Sequence, residues 1–349
     1  MKVNLPNVEI SAITSCLPQK ILKMDSLGTE YGEKEVENIM KATGIEQVHV
    51  AESDQTSSDL CYKAALHLFE KEKLKPNEID GLIFVSQTCD FLLPATSIIL
   101  QDKLALKKDT VCIDIHYGCT GYIYGILQAA VWIVSGVCDK VILLSGDTTT
   151  RMINSKDKSL RMVFGDCGTA SLIKKGENNI AISAYSDGSG YDKLIVPAGG
   201  FRIPISSETK KIIIDSDNNG RTPEDLYMDG MAIFDFAIHN VYKDINDLID
   251  FIGWKKTEIG LFALHQANVF IVNYIRKKLN VDPERVPTNV KKYGNTGPGS
   301  IPLLLCDICS TAHHFDLSKV ILSGFGVGLS WGSIACNISE TNFYKPIIF

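Results

Sequence analysis

The sequence predicts an α/β protein in which one strand–helix layout is used twice. Two observations carry this. Short apolar runs alternate with helical patterns along the chain, the order that builds α/β layers. In addition, ordered matches recur at a single spacing. Asp80-Gly81-Leu82-Ile83-Phe84-Val85-Ser86-Gln87 resembles Ile259-Gly260-Leu261-Phe262-Ala263-Leu264-His265-Gln266, and Lys140-Val141-Ile142-Leu143 recurs as Lys319-Val320-Ile321-Leu322, each pair 179 residues apart. Ser-Gly follows within two residues in both copies, and Phe164-Gly165-Asp166-Cys167-Gly168 has a later counterpart in Phe325-Gly326-Val327-Gly328. A period this long means a duplicated domain, not a solenoid, and puts the halves at 1–175 and 176–349.

The elements follow from local pattern. Residues 57–71 read as a helix, 82–86 as a strand, 95–106 as a helix and 111–115 as a strand. The long apolar stretch 121–136 reads as a helix and 141–145 as a strand. The second half repeats the scheme with helices at 229–250, 268–279 and 300–312 and strands at 260–264 and 320–323. Continuously apolar strands imply largely parallel sheets covered on both faces. Pro283, Pro287 and the Gly/Asn run 294–299 mark connections.

Composition narrows the function. The chain has 349 residues, 45% hydrophobic and 22% charged, the balance of a soluble globular protein with a sizeable core. A net charge of −6 without any Lys/Arg block argues against nucleic acid and anionic membrane as partners. No apolar run reaches the roughly 18 residues of a membrane span, and the first residues lack the apolar core of a signal peptide. Most of the ten cysteines lie inside apolar runs, which reads as reduced thiols in a cytoplasmic protein.

Three places can carry chemistry. Cys119, in His116-Tyr117-Gly118-Cys119-Thr120-Gly121, sits where a strand gives way to a helix. Free N–H groups and the helix dipole there favour a thiolate, but a packed core cysteine fits the local sequence equally well. His265 ends a strand, where α/β sheets bind ligands; alone it reads more readily as a hydrogen-bonded structural histidine. Asn295 lies in Gly294-Asn295-Thr296-Gly297, by itself an ordinary turn. The 179-residue spacing sets Gly297 opposite Gly118, so the duplication offers a way for the three to converge. His49, His67, His239, His313 and His314 fall in helical or surface contexts, and His116 is open to either reading. Cys306-x-x-Cys309 has no second pair, so no metal site is expected. The glycines of 324–328 lack the acidic residue a dinucleotide site requires.

Together the cysteine turn, His265-Gln266-Ala267-Asn268, the Gly-Asn-Thr-Gly loop and Gly324-Phe325-Gly326-Val327-Gly328-Leu329-Ser330-Trp331-Gly332-Ser333 resemble the β-ketoacyl-ACP synthase III family. Ala42-Thr43-Gly44-Ile45 and Phe164–Ala170 extend the likeness over nearly the whole chain. The resemblance implies a thiolase-like fold, two βαβαβαββ halves in a five-layered αβαβα arrangement, as a homodimer. It implies decarboxylative Claisen condensation of an acyl thioester, on CoA or a carrier protein, with malonyl-ACP, and no cofactor. Catalysis would fall to Cys119, His265 and Asn295, with the backbone N–H groups of Cys119 and Val327 as oxyanion hole. Substrate-binding positions map to Leu93, His116, Tyr117, Lys158, Asn268 and Phe270. The chain departs from the pattern where a tryptophan and an arginine hold the adenine of CoA: Asn38 and Ala42 stand there, Phe270 replaces an arginine after His-Gln-Ala-Asn, and Lys158 replaces another. Acyl transfer from the cysteine to an alcohol or amine is the alternative chemistry.

Overall fold

The computed structural model describes residues 1–311 and 315–349, so His313 and His314 lie outside the described residues. Two sheets carry the architecture. The first half contributes β2 (Val8–Leu17), β3 (Gly81–Val85), β4 (Val111–Ile115), β5 (Lys140–Asp147) and β6 (Cys167–Lys175). These pair in the order β2-β6-β5-β3-β4. The second half contributes β7 (Ile180–Ser186), β8 (Leu261–Leu264), β9 (Val320–Gly326) and β10 (Ser330–Cys336), paired as β7-β10-β9-β8. The two orders are the same path: first strand beside last, last beside its predecessor, and then the strand that ends in Val85 or Leu264. The second half has no counterpart of β4 among the described residues.

The termini are exchanged between the sheets. β1 (Lys2–Leu5) pairs antiparallel with β7, while Asn342–Phe343 and Ile347–Ile348 pair with β2. Each half therefore borrows an edge from the other end of the chain.

Helices cover the sheets in layers. α1 (Ser57–Glu72) and α2 (Thr96–Lys103) pack outside the first sheet, and α4 (Gly230–Ile252), with α5 (Val269–Leu279) against it, outside the second. Between the sheets lie α3 (Gly121–Val134) and α6 (Ser300–Cys309), each touching both. The strands show why. Ile83 and Val85 face the central layer while Leu82 and Phe84 face α1, and Leu261 and Ala263 face the centre while Phe262 and Leu264 face outward. Alternation is present, but both faces are apolar because both are covered. α3 is apolar nearly all round for the same reason.

Two expectations need correcting. The sheets are mixed: β6 and β10 return antiparallel to β5 and β9, and β2 and β7 pair antiparallel with them in turn. β5–β6 and β9–β10 run back on themselves, which apolar character alone does not distinguish from a parallel crossover. And β4 is not covered on all sides. Among the described residues it pairs only with β3, and Val111 is 38% exposed.

Ile126, fully buried on α3 between the two sheets, tests how far they depend on the central layer. Ile126→Ala is expected to destabilise the fold by about 2–5 kcal/mol, read as a lowered denaturant midpoint with an unchanged slope.

Candidate active site

Cys119 lies in the turn from β4 to α3 and is 7% exposed. The second half closes on it through glycines. A Cβ on Gly326, where φ is +155°, would stand 2.7 Å from both Cβ and Sγ of Cys119, and one on Gly324 would stand 2.9 Å from its carbonyl oxygen. Any side chain at either position would force the halves apart. Burial pushes the Cys119 thiol up to about 11, although the backbone N–H groups of Val327 and of Cys119 itself donate toward the sulfur and lower it. The expected thiolate-favouring turn is therefore corrected. Desolvation outweighs the backbone donors, and the resting group is a thiol. The two N–H groups nevertheless converge on the sulfur.

His265 follows β8 and is 1% exposed. Its Nδ1 lies 2.6 Å from Ser300 Oγ at the start of α6. Ser300 has no other acceptor for its hydroxyl proton among the described residues, so the hydroxyl donates to Nδ1 and the ring proton resides on Nε2. Burial lowers the imidazole to about 3, which keeps it neutral at physiological pH. The ring of Phe325 meets it edge-on, with centroids 5.3 Å apart.

Asn295 is pinned to the first half. Its N–H donates to the Val163 carbonyl at 2.9 Å, and its own carbonyl accepts from Gly165 N–H at 3.0 Å. Gly294, at φ +63°, makes room for this, since a Cβ there would meet the Val163 carbonyl at 2.6 Å. Asn295 Oδ1 accepts from Gly297 N–H at 3.0 Å. A backbone N–H can only donate, so the side-chain oxygen is the atom facing it and the NH₂ points the other way.

Cys119 is shared by two cavities. The larger, about 610 Å³, holds Cys119, His265 and Asn295 together and is rimmed by Ala42, Met231 and Phe270. The smaller, about 380 Å³, extends from Cys119 past Gly118 and Val327 to Gln87 and Asp147. Asp147 ends β5 and is 2% exposed. Burial raises its carboxyl to about 6 against hydrogen bonds from Ser86, Gln87 and Thr88.

The structure divides the other expected positions. Asn268 and Phe270 line the larger cavity. Asn268 also caps α5 by accepting from Ile271 N–H, and Phe270 stacks on Phe234. His116 lines the smaller cavity. Three side chains line neither. Tyr117 stacks on Tyr124, with centroids 4.4 Å apart. Lys158 is held by Glu35 and the Asp217 carbonyl. Leu93, 80% exposed, stands on the surface of its own chain. Sequence reasoning missed Ser300, Gln87 and Asp147. The signal for Gln87 was present, since it occupies the place in the first copy that Gln266 occupies in the second.

The raised thiol has a kinetic signature. Alkylation of Cys119 by iodoacetamide is expected to climb roughly tenfold per pH unit between pH 7 and 9, because below its pKa the thiolate fraction rises in that proportion. A plateau by pH 8, read by peptide mass spectrometry, would contradict the dominance of burial.

Comparison with known proteins agrees with this geometry. Residues 113–188 match the family profile of 3-oxoacyl-[acyl-carrier-protein] synthase III, and residues 249–338 match the profile of its C-terminal part. The chain is 33% identical to the β-ketoacyl-[acyl-carrier-protein] synthase III of Streptococcus mutans, over 95% of this chain and 99% of that one. A solved 3-oxoacyl-(acyl-carrier protein) synthase from Burkholderia xenovorans superposes with a TM-score of 0.91 at 32% identity, covering 100% of this chain and 99% of the other. The Pseudomonas aeruginosa synthase III gives a TM-score of 0.81 at 28% identity over 95% of this chain and 98% of that chain. The chain belongs to the 3-oxoacyl-[acyl-carrier-protein] synthase III family of thiolase-fold acyltransferases.

Proposed function

We propose that the chain condenses an acyl thioester with malonyl-ACP through an acyl group carried on Cys119. One observation supports this above the others: Cys119 opens to two cavities, and only the larger carries His265 and Asn295. Carbon–carbon bond formation needs two substrates to meet at one sulfur with stabilising donors on one side only.

In the first step the Cys119 sulfur adds to the acyl carbonyl and its proton passes to the departing carrier thiol. The N–H groups of Cys119 and Val327 hold the tetrahedral oxyanion. The acyl chain then occupies the smaller cavity. Malonyl-ACP enters by the larger one, and its carbon–carboxylate bond breaks. CO₂ leaves, and the electron pair moves onto the thioester oxygen as an enolate. Neutral His265 donates from Nε2 and Asn295 from its NH₂ to that oxygen. A protonated imidazole is unnecessary, which suits a group held at about 3. The enolate carbon attacks the acyl-cysteine, the Cys119 thiolate leaves and takes up a proton from water to restore the resting thiol, and a β-ketoacyl thioester is released, the product of chain initiation in fatty-acid or specialised-metabolite synthesis.

In this reading residues 1–175 supply the nucleophile and 176–349 the decarboxylating pair. The acyl donor is a CoA or carrier-protein thioester. The free cysteines fit a reducing, cytoplasmic setting, and no helix among the described residues is long and apolar enough to cross a membrane. The unpaired edge of β4, beside exposed Phe91, Leu92, Leu93 and Ile98, supports a homodimer joined there, with Leu93 reaching toward a partner's cavity.

Intact-mass analysis after incubation with acyl thioesters is expected to show one acyl adduct, lost in Cys119→Ala. Release of ¹⁴CO₂ from labelled malonyl-ACP is expected to fall by roughly 10²–10³ in His265→Ala or Asn295→Ala while the adduct persists. Ser300→Ala should reduce CO₂ release by a smaller factor, since it only orients the imidazole. Adduct formation with CO₂ release at background would instead indicate acyl transfer to an alcohol or amine.

A further inference from the structure

The smaller cavity is lined mostly by apolar side chains, Met152, Phe164, Leu194 and Leu226 among them, but its lining also includes Gln87, His116, Asp147 and Thr149, polar groups that an alkyl chain would leave unpaired. Asp147 Oδ1 is saturated: it accepts from Ser86 Oγ at 2.8 Å, Gln87 N–H at 2.7 Å, and the N–H and hydroxyl of Thr88, both at 3.2 Å. Its Oδ2 has no partner among the described residues. It lies 3.0 Å from where a Cβ on Gly297 would stand, and Gly297 itself lines the cavity. The Thr149 hydroxyl, on a residue 5% exposed, and the Gln87 amide likewise have no protein partner among the described residues. A carboxylate held by one oxygen alone serves the loop 86–88 with that oxygen and leaves the other for whatever fills the cavity.

Gly118 is matched to this polar lining. A Cβ there would collide with the Gln87 carboxamide oxygen and stand 2.8 Å from Val327 Cγ1. Glycine at 118 thus gives Gln87 its place over the nucleophile turn.

We infer that the acyl group accepted by Cys119 carries a hydrogen-bond donor, a hydroxyl or an amine, which pairs with Asp147 and the Gln87 amide; this rests on the reading of Cys119 as nucleophile. A plain alkyl chain would strip the remaining water from Asp147 Oδ2 and give nothing back. An acyl chain ending in a carboxylate would face the same oxygen, and no lysine or arginine lines the cavity to offset it. A hydroxyl donates to Asp147 and accepts from Thr149 or Gln87. An ammonium adds charge attraction.

The test compares chain-length-matched thioesters of N-acetylcysteamine, which need no nucleotide site and do not cyclise to a five-membered lactone or lactam: butyryl, 3-hydroxybutyryl, 3-aminobutyryl and succinyl. The rate constant for adduct formation at Cys119 is followed by intact mass. At least one hydroxyl or amine member is expected to exceed butyryl by roughly tenfold or more, with succinyl slowest. In Gln87→Leu and Thr149→Val, checked for folding by thermal melting, the ratio of the favoured member's rate to that of butyryl is expected to shrink about tenfold. Butyryl or succinyl reacting as fast as every hydroxyl or amine member overturns the inference and leaves the nucleophile in place. Adducts that survive Cys119→Ala, or none from any thioester, overturn both.

Discussion

The structure depends on two backbones meeting at distances that only glycine permits. On one side of the site Gly324 and Gly326 press on Cys119. On the other, Gly294 presses on Val163, so that Asn295 and the Val163–Gly165 segment exchange hydrogen bonds. Cys119 belongs to the first half and Asn295 to the second, yet each is fixed by backbone atoms of the opposite half. No flexible side chain sets their spacing, and the exchanged terminal strands bind the same halves at their far edges. Such contacts fix the backbone around the site before substrate arrives, the condition under which fixed donors stabilise developing charge without reorganisation.

Burial then assigns the protonation states. The same desolvation keeps Cys119 a thiol and His265 an imidazole, and a neutral pair in an apolar cavity avoids an unpaired internal charge. A resting thiolate–imidazolium pair would instead place two charges in this apolar cavity, a cost that burial avoids by keeping both groups neutral. Ser300 works in the same direction by donating to Nδ1, which leaves the Nε2 proton available for an enolate oxygen.

Much of this was legible in the sequence, for identifiable reasons. The helices and central strands announce themselves because covered sheets demand apolar runs and layered helices demand apolar stripes. The 179-residue spacing exposed the duplication, and the motifs exposed Cys119, His265 and Asn295. Antiparallel return strands escaped because β6 and β10 break their apolar runs with glycine, serine, threonine or lysine. The Cys119 protonation state escaped because it depends on how completely the second half covers the turn, a property of packing and not of the turn. Tyr117 and Lys158 were placed by neighbourhood along the chain. In the fold, one side chain turns to Tyr124 and the other to Glu35.

The duplication also explains why one site has two different walls. Ser86-Gln87 and His265-Gln266 stand at the same sheet ends, 179 residues apart. In the second half Gln266 is consumed by structure, donating to the Leu264 carbonyl and accepting from Asn289 N–H, while His265 lines the larger cavity. In the first half the roles reverse: Ser86 is tied to Asp147, and the Gln87 side chain faces the smaller cavity. A carboxylate suits that side and not the other. Beside the forming enolate Asp147 would oppose negative charge, whereas at the acyl end, separated from the reacting carbonyl, it can receive a donor hydrogen from the substrate. On the proposed reading, equivalent positions in the two copies divide the work, with charge stabilisation in the second half and recognition of the acyl group in the first.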